Sequence, residues 1–131
     1  MSDSIHQEVT FNAKPEAIYR ALTDSNEFSQ LTGGAPAEIS VEGGGKFSLF
    51  GGKIVGRNID LKANELVVQA WRSADWDEGV YTVIKFELKE DSDGTHLVFD
   101  QTGIPEGNYE HLKGGWSQMY WEPIKRATRL R

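Results

Sequence analysis

The apolar residues of this chain change period once, at Ile104-Pro105. After it, Leu112, Trp116, Met119, Tyr120, Ile124 and Ala127 recur at the i, i+3, i+4 spacing of one helix face. Gly114-Gly115 and Pro123 are the positions where such a helix would bend. Before it, short runs alternate with period two, as strands with one buried face do. These runs are Ala37–Val41, Lys46–Phe50, Ile54–Leu61, Leu66–Arg72, Val80–Lys89 and Thr95–Gly103. Turn-forming clusters divide them: Gly43-Gly44-Gly45, Gly51-Gly52, Lys62-Ala63-Asn64, the 75–79 segment, and Asp91-Ser92-Asp93-Gly94. Asp93-Gly94 between two alternating runs is the strongest hairpin signal. In the run ending at Lys89, Val80, Thr82, Ile84, Phe86 and Leu88 share the face to be buried.

The first third reads differently. Residues 5–11 alternate as a strand, with Ile5, Val9 and Phe11 on one side. Pro15 and Glu16, after Asn12 or Lys14, open a short helix through Ile18, Ala21 and Leu22. Thr23-Asp24-Ser25-Asn26 stops that helix and caps a second one through Phe28 and Leu31, which Gly33-Gly34 ends. The expected architecture is one α+β domain over residues 1–131. It comprises a curved antiparallel sheet of six or seven strands, two short helices after the first strand, and a long C-terminal helix across the sheet. Because a twisted sheet curls, a helix laid on its hollow side leaves room between the two, and that gap is the expected pocket.

Composition narrows the function. The chain has 131 residues, 14 Lys and Arg against 20 Asp and Glu, a formal charge of −6, and no cysteine. Disulfides, thiolate metal sites and cysteine nucleophiles are therefore excluded. A negative balance argues against nucleic acid as partner. Lys125, Arg126, Arg129 and Arg131 read as bases complementing a helix C-terminus. No apolar run approaches the roughly 20 residues that span a bilayer, and the opening segment is polar, so membrane insertion is not expected and a cytoplasmic location is.

Motifs with catalytic mechanics are missing. A phosphate loop ending at Gly45-Lys46 needs glycine at position 40 and Ser or Thr at position 47, where Ser40 and Phe47 stand. A dinucleotide fingerprint from Gly43 fails at Ser48. Calcium loops counted from Asp75 or Asp91 place Val80 and Phe86, or His96 and Thr102, where Gly and Glu are needed. His6, His96 and His111 make no zinc-binding pair, and no Gly-x-Ser-x-Gly turn occurs. No metal, cofactor or catalytic residue is assigned. For a small-molecule enzyme, the candidate acid–base groups are Glu122, His111, Asp100 and Tyr120.

Four Trp, four Tyr and six Phe supply the core. A buried Trp removes about 150–250 Å² from water, of order 4–6 kcal/mol at most. Strand alternation and the helix stripe select Phe47, Leu49, Trp71, Ile84, Phe86, Leu97, Phe99, Trp116, Met119 and Tyr120 as candidate walls of a hydrophobic ligand pocket. Each is equally a candidate for plain core. Trp121, about 100° around a regular helix from Tyr120, is expected to face a loop or solvent.

Several strings resemble one family. They are Gly44-Gly45-Lys46-Phe47-Ser48-Leu49-Phe50-Gly51-Gly52, Ile54-Val55-Gly56, Val67-Val68-Gln69-Ala70-Trp71-Arg72, Gly94-Thr95, Gly103-Ile104-Pro105, Gly115-Trp116 and Tyr120-Trp121-Glu122-Pro123-Ile124-Lys125. Pro15-Glu16-Ala17-Ile18-Tyr19-Arg20-Ala21-Leu22-Thr23 fits too. Together they resemble the activator of heat-shock-protein-90 ATPase homologue family, over nearly the whole chain and in order. The resemblance implies a helix-grip fold of the START-like (SRPBCC) superfamily, whose domains hold a hydrophobic ligand between sheet and C-terminal helix. In the two-domain co-chaperone of that family this chain resembles the second domain. The Asn-x-x-Asn-Trp-His-Trp signature of the first has no counterpart here. Three functions follow as expectations. The first is a non-enzymatic binding domain for a small hydrophobic ligand. The second is a co-chaperone that stimulates a heat-shock chaperone ATPase in stress, through Trp76 with Asp75, Asp77 and Glu78 or through the basic helix end. The third is a polyketide-cyclase-like enzyme. A homodimer through an exposed strand or helix is a further expected assembly.

Overall fold

The computed structural model describes residues 3–42 and 44–129; Gly43 of the glycine turn and Arg131 of the basic helix end lie outside the described residues. Strand β1 (Asp3–Phe11) leads into helices α1 (Pro15–Thr23) and α2 (Ser25–Leu31). A meander follows: β2 (Glu38–Ile39), β3 (Lys46–Leu49), a 3₁₀ turn (Phe50–Gly52), β4 (Ile54–Lys62), β5 (Leu66–Ser73), β6 (Thr82–Asp91) and β7 (Gly94–Ile104). The terminal helix is α3 (Tyr109–Trp116), a π-helical turn (Ser117–Trp121) and α4 (Glu122–Thr128). The strands form one antiparallel sheet in the order β1-β7-β6-β5-β4-β3-β2, so the first strand closes the edge left by the last.

Local chemistry sets the boundaries. Pro15 at the start of α1 gives up an N–H that no helix start can satisfy internally, and Glu16 follows in its first turn. Asp24 ends α1 and caps α2, its carboxylate accepting from the Glu27 N–H at 2.9 Å. At the β6–β7 hairpin Asp91 pairs with Gly94, so the two-residue loop is Ser92-Asp93 and Gly94 belongs to the strand. Gly94 has φ +143°, and a Cβ there would run into the Phe11 carbonyl of β1. Glycine is needed at that position for the close approach of the 11–13 backbone.

The buried faces of β3 to β7 and β1 point to one side, where α1, α2 and the terminal helix cover them. Phe47, Leu49, Val67, Trp71, Ile84, Phe86, Leu97 and Phe99 come from the sheet, Ile18, Leu22 and Phe28 from the short helices, and Trp116, Tyr120, Trp121 and Ile124 from the terminal helix. Polar side chains that face inward are all paired. Thr82 Oγ1 donates to the Trp71 carbonyl at 2.7 Å, Thr95 Oγ1 to the Ala13 carbonyl at 2.7 Å, and Gln69 Nε2 to Asn58 Oδ1 at 3.0 Å. Among the described residues no buried side-chain nitrogen or oxygen lacks a partner. No helix is long and apolar enough to cross a membrane, again among the described residues.

Candidate functional site

The site begins with an irregularity in the terminal helix. A regular helix cannot place Trp116, Tyr120 and Trp121 on one face, because consecutive residues diverge by about 100°. In the π turn the bonding reaches one residue further, and the Glu122 N–H donates to the Ser117 carbonyl. Residues five apart then align: the Trp116 and Trp121 rings stack at 5.9 Å with 25° between their planes. Trp121 is 4% exposed, not turned to a loop or solvent as regular winding implies. Pro123 stands two residues beyond the turn, and its missing N–H and bulky ring favour a widened turn before it.

Polar tips fix these rings to the sheet. Trp116 Nε1 donates to Gln101 Oε1 of β7 at 2.8 Å, and Trp121 Nε1 to Gln7 Oε1 of β1 at 2.7 Å. Trp71 Nε1 of β5 donates to Tyr120 Oη at 3.3 Å. The space between helix and sheet is therefore occupied by rings: Trp116 lies 4.3 Å from Phe99, 5.1 Å from Trp71 and 4.5 Å from Tyr120, centroid to centroid. The seam bounded by Leu22, Phe28, Phe47, Leu49, Phe86 and Tyr120 leaves no room for a water molecule.

The open volume lies at one end of this packed seam. A cleft of about 460 Å³ runs between the 3₁₀ turn, the adjoining ends of β4 and β5, and α3 with its π turn. Its walls include Phe50, Ile54, Trp71, Leu112, Trp116, Met119 and Tyr120, and its other polar residues are Thr32, Lys53, Ser73 and His111. Phe50 sits at φ +54°, a left-handed conformation that is rare for a bulky side chain. Its ring meets Phe28 at 5.5 Å and Tyr120 at 6.1 Å, which closes the inner end.

Of the ten pocket candidates read from the sequence, Trp71, Trp116, Met119 and Tyr120 line the cleft. Phe47, Leu49 and Phe86, again with Tyr120, line the closed seam. Ile84, Leu97 and Phe99 are fully buried and border neither space. Met119 is 47% exposed at the cleft mouth. The sequence reading missed Phe50, Ile54 and Lys53 as lining residues, and named His111 only as an acid–base candidate. Phe50 falls out of alternation with Phe47 and Leu49, and only its left-handed turn brings it back to the inner side.

Among the described residues no carboxylate lines the cleft. Burial pushes the Tyr120 phenol well above the ordinary tyrosine range, against a smaller opposing effect of the Trp71 N–H, so it stays neutral and keeps its proton. Among the acid–base candidates, His111 and Tyr120 reach the cleft and the other two do not. Glu122 is exposed and paired with Lys125 at 3.6 Å, and Asp100 lies on the outer sheet face against His6 at 2.6 Å. Among the described residues no three His, Asp or Glu side chains gather as a metal site. Trp76 is half-buried, 5.9 Å from Trp71 and donating to Asn108 Oδ1 at 3.3 Å, while Asp75, Asp77 and Glu78 around it are exposed.

A seven-stranded antiparallel sheet closed by an aromatic terminal helix, with a cleft at one end, defines a helix-grip domain. The chain belongs to the family described as Activator of Hsp90 ATPase homolog 1-like protein, which matches residues 12–128. It is 33% identical over 118 residues to the human "Activator of 90 kDa heat shock protein ATPase homolog 1", covering 90% of this chain and 35% of that protein. It is 30% identical over 127 residues to the mouse homolog 2, covering 97% of this chain and 38% of that protein. It thus spans little more than a third of the length of these relatives. Among solved structures it resembles an HSP90 activator from Plasmodium falciparum, with a TM-score of 0.85, 30% identity, and coverage of 96% of this chain and 94% of that one.

Proposed function

We propose that this chain is a non-enzymatic regulatory domain that binds an Hsp90-class chaperone and stimulates its ATPase. One observation carries the reading. The Plasmodium falciparum chain described as an HSP90 activator is 30% identical to this one and aligns with 96% of it at a TM-score of 0.85. Such a partner would place the protein in the cytoplasm. The exposed acids Asp75, Asp77 and Glu78, on a loop that Arg72 ties down through the Trp76 and Asp77 carbonyls, offer a fixed negative surface for it. Size-exclusion chromatography of the purified chain with a purified Hsp90-class chaperone, with and without nucleotide, tests the first requirement. A co-eluting complex supports the reading; separate elution under every nucleotide condition removes it.

A second reading rests on the cleft. Its volume falls within the range of about 300–1,000 Å³ usual for small-molecule sites, and apolar rings dominate its walls. We infer a small hydrophobic ligand there, at the end of the grip, with Trp71, Trp116, Met119 and Tyr120 as contact residues. No reaction is proposed, since the cleft pairs no acid with a base.

A further inference from the structure

We propose that the cleft selects an amphipathic anion, a carboxylate attached to an apolar chain or flat ring, with Lys53 meeting the charge. The inference rests on the reading of the cleft as a small-molecule site and adds the chemistry of the occupant.

Charge is the first argument. The chain carries six more acids than bases, yet among the described residues no acid lines the cleft, and the ionisable side chains at its wall are Lys53, His111 and Tyr120. Lys53 is exposed and pairs with no carboxylate within 4 Å among the described residues. The nearest acid by sequence on the β5 side, Asp75, accepts the Ser73 hydroxyl instead. An ammonium at the mouth of an apolar cleft, free of a protein counter-ion, favours a ligand that brings one.

Hydrogen bonding is the second. Tyr120 Oη accepts the Trp71 N–H and donates to no group among the described residues, although the residue is 4% exposed. Its proton is an unspent donor at the wall. Thr32 and Ser73, the other hydroxyls of the lining, already donate to Phe28 and Ser29 carbonyls and to Asp75. Lys53 and Tyr120 thus bring a charged and a neutral donor to the lining, which suits a ligand head with acceptor oxygens. The apolar remainder fits against Trp116, Ile54 and Leu112. Met119 at the mouth has the unbranched flexibility to close over ligands of different shape.

The test uses the intact chain and three probes of equal tail length below their micelle concentrations: decanoate, decanol and decyltrimethylammonium. Trp71 and Trp116 report by intrinsic fluorescence, and calorimetry gives stoichiometry. Decanoate should bind one to one and about tenfold or more tighter than decanol, with the cation weakest. Lys53→Gln, at an exposed position, should reduce decanoate affinity to the decanol level while leaving decanol unchanged. Tyr120→Phe should weaken decanoate in a protein whose melting temperature is first checked. Equal binding of all three probes, or preference for the cation, would overturn anion selection while leaving a hydrophobic cleft. Binding of none would overturn the cleft reading itself.

Discussion

Trp116 and Gln101 are joined inside the protein by a 2.8 Å hydrogen bond from the indole N–H to the side-chain carbonyl. Gln101 passes the chain on, its amide donating to Thr82 Oγ1 at 3.1 Å, and Thr82 donates to the Trp71 carbonyl at 2.7 Å. All of these side chains are buried, so a polar thread ties the terminal helix to β7, β6 and β5. The fully buried glutamine is there because an indole at the helix–sheet contact needs an acceptor.

Gln101→Leu keeps the volume and removes the acceptor. It leaves the Trp116 N–H buried and unpaired, at a cost of about 1–3 kcal/mol. Urea denaturation should show a lower midpoint with unchanged slope. In a Trp116→Phe background the same substitution should cost less, because the orphaned donor is gone. Equal costs in the two backgrounds would mean the bond is not what makes Gln101 matter.

Two glycines should respond in opposite directions to alanine. Gly56 on β4 stands under the Ala70 carbonyl and 2.6 Å, from an added Cβ, to Phe47 Cζ. Gly56→Ala therefore forces two strands apart and should destabilise by about 1–3 kcal/mol. Gly114 in α3 faces open space, so Gly114→Ala should stabilise by about 0.5–1 kcal/mol through helix propensity. Thermal melts of the two variants against the parent give both signs in one experiment.

On the outer sheet face His6 is held between two carboxylates, Nδ1 to Asp100 at 2.6 Å and Nε2 to Glu8 at 3.0 Å, and Glu8 also reaches His96 Nε2 at 2.8 Å. Lys85 and Lys89 of β6 stand opposite Asp100 and His96 in the strand register. Hydrogen bonds to Asp100 and then Glu8 raise the His6 pKa above 6.5, and those from His6 and then His96 lower that of Glu8 below 4.5. The His6 contribution to stability is complete below pH 6.5 and disappears as pH rises through its raised value. The Glu8 contribution is complete above pH 4.5 and disappears as pH falls through its lowered value. The melting-temperature difference between the parent and His6→Ala should therefore be largest between pH 4.5 and 6.5 and shrink toward pH 8. Added salt should reduce it throughout, since the groups are exposed. A difference flat across that range would mean that the His6 contacts with Asp100 and Glu8 do not contribute to stability.

Much of the fold was legible because alternation and punctuation agree with one another. The runs at Lys46–Phe50, Ile54–Leu61 and Leu66–Arg72 fall within a residue of β3, β4 and β5. Departures come where a side chain takes a backbone group. The Val80 carbonyl accepts from Arg72 Nε at 3.1 Å, and β6 begins only at Thr82. The Ser40 carbonyl accepts from Asn58 Nδ2 at 2.6 Å, and the Ala37–Val41 run shortens to Glu38–Ile39. The aromatic face of the terminal helix was visible from its spacing. The position of the cleft was not, because two backbone irregularities border it: the left-handed Phe50 and the π turn that carries Met119 and Tyr120. Neither strand alternation nor regular helix spacing describes them, although Gly51-Gly52 and Pro123 punctuate the sequence beside them.

The proposed activity of this chain, as a single helix-grip unit, is regulation of an Hsp90-class chaperone. Steady-state ATP turnover of the purified chaperone, titrated with the purified chain and corrected with a specific chaperone inhibitor, measures that most directly. A saturable rise in turnover is expected with the chain present; turnover unchanged at saturating chain, alongside a folded and monodisperse sample, would rule out regulation of the chaperone by this domain.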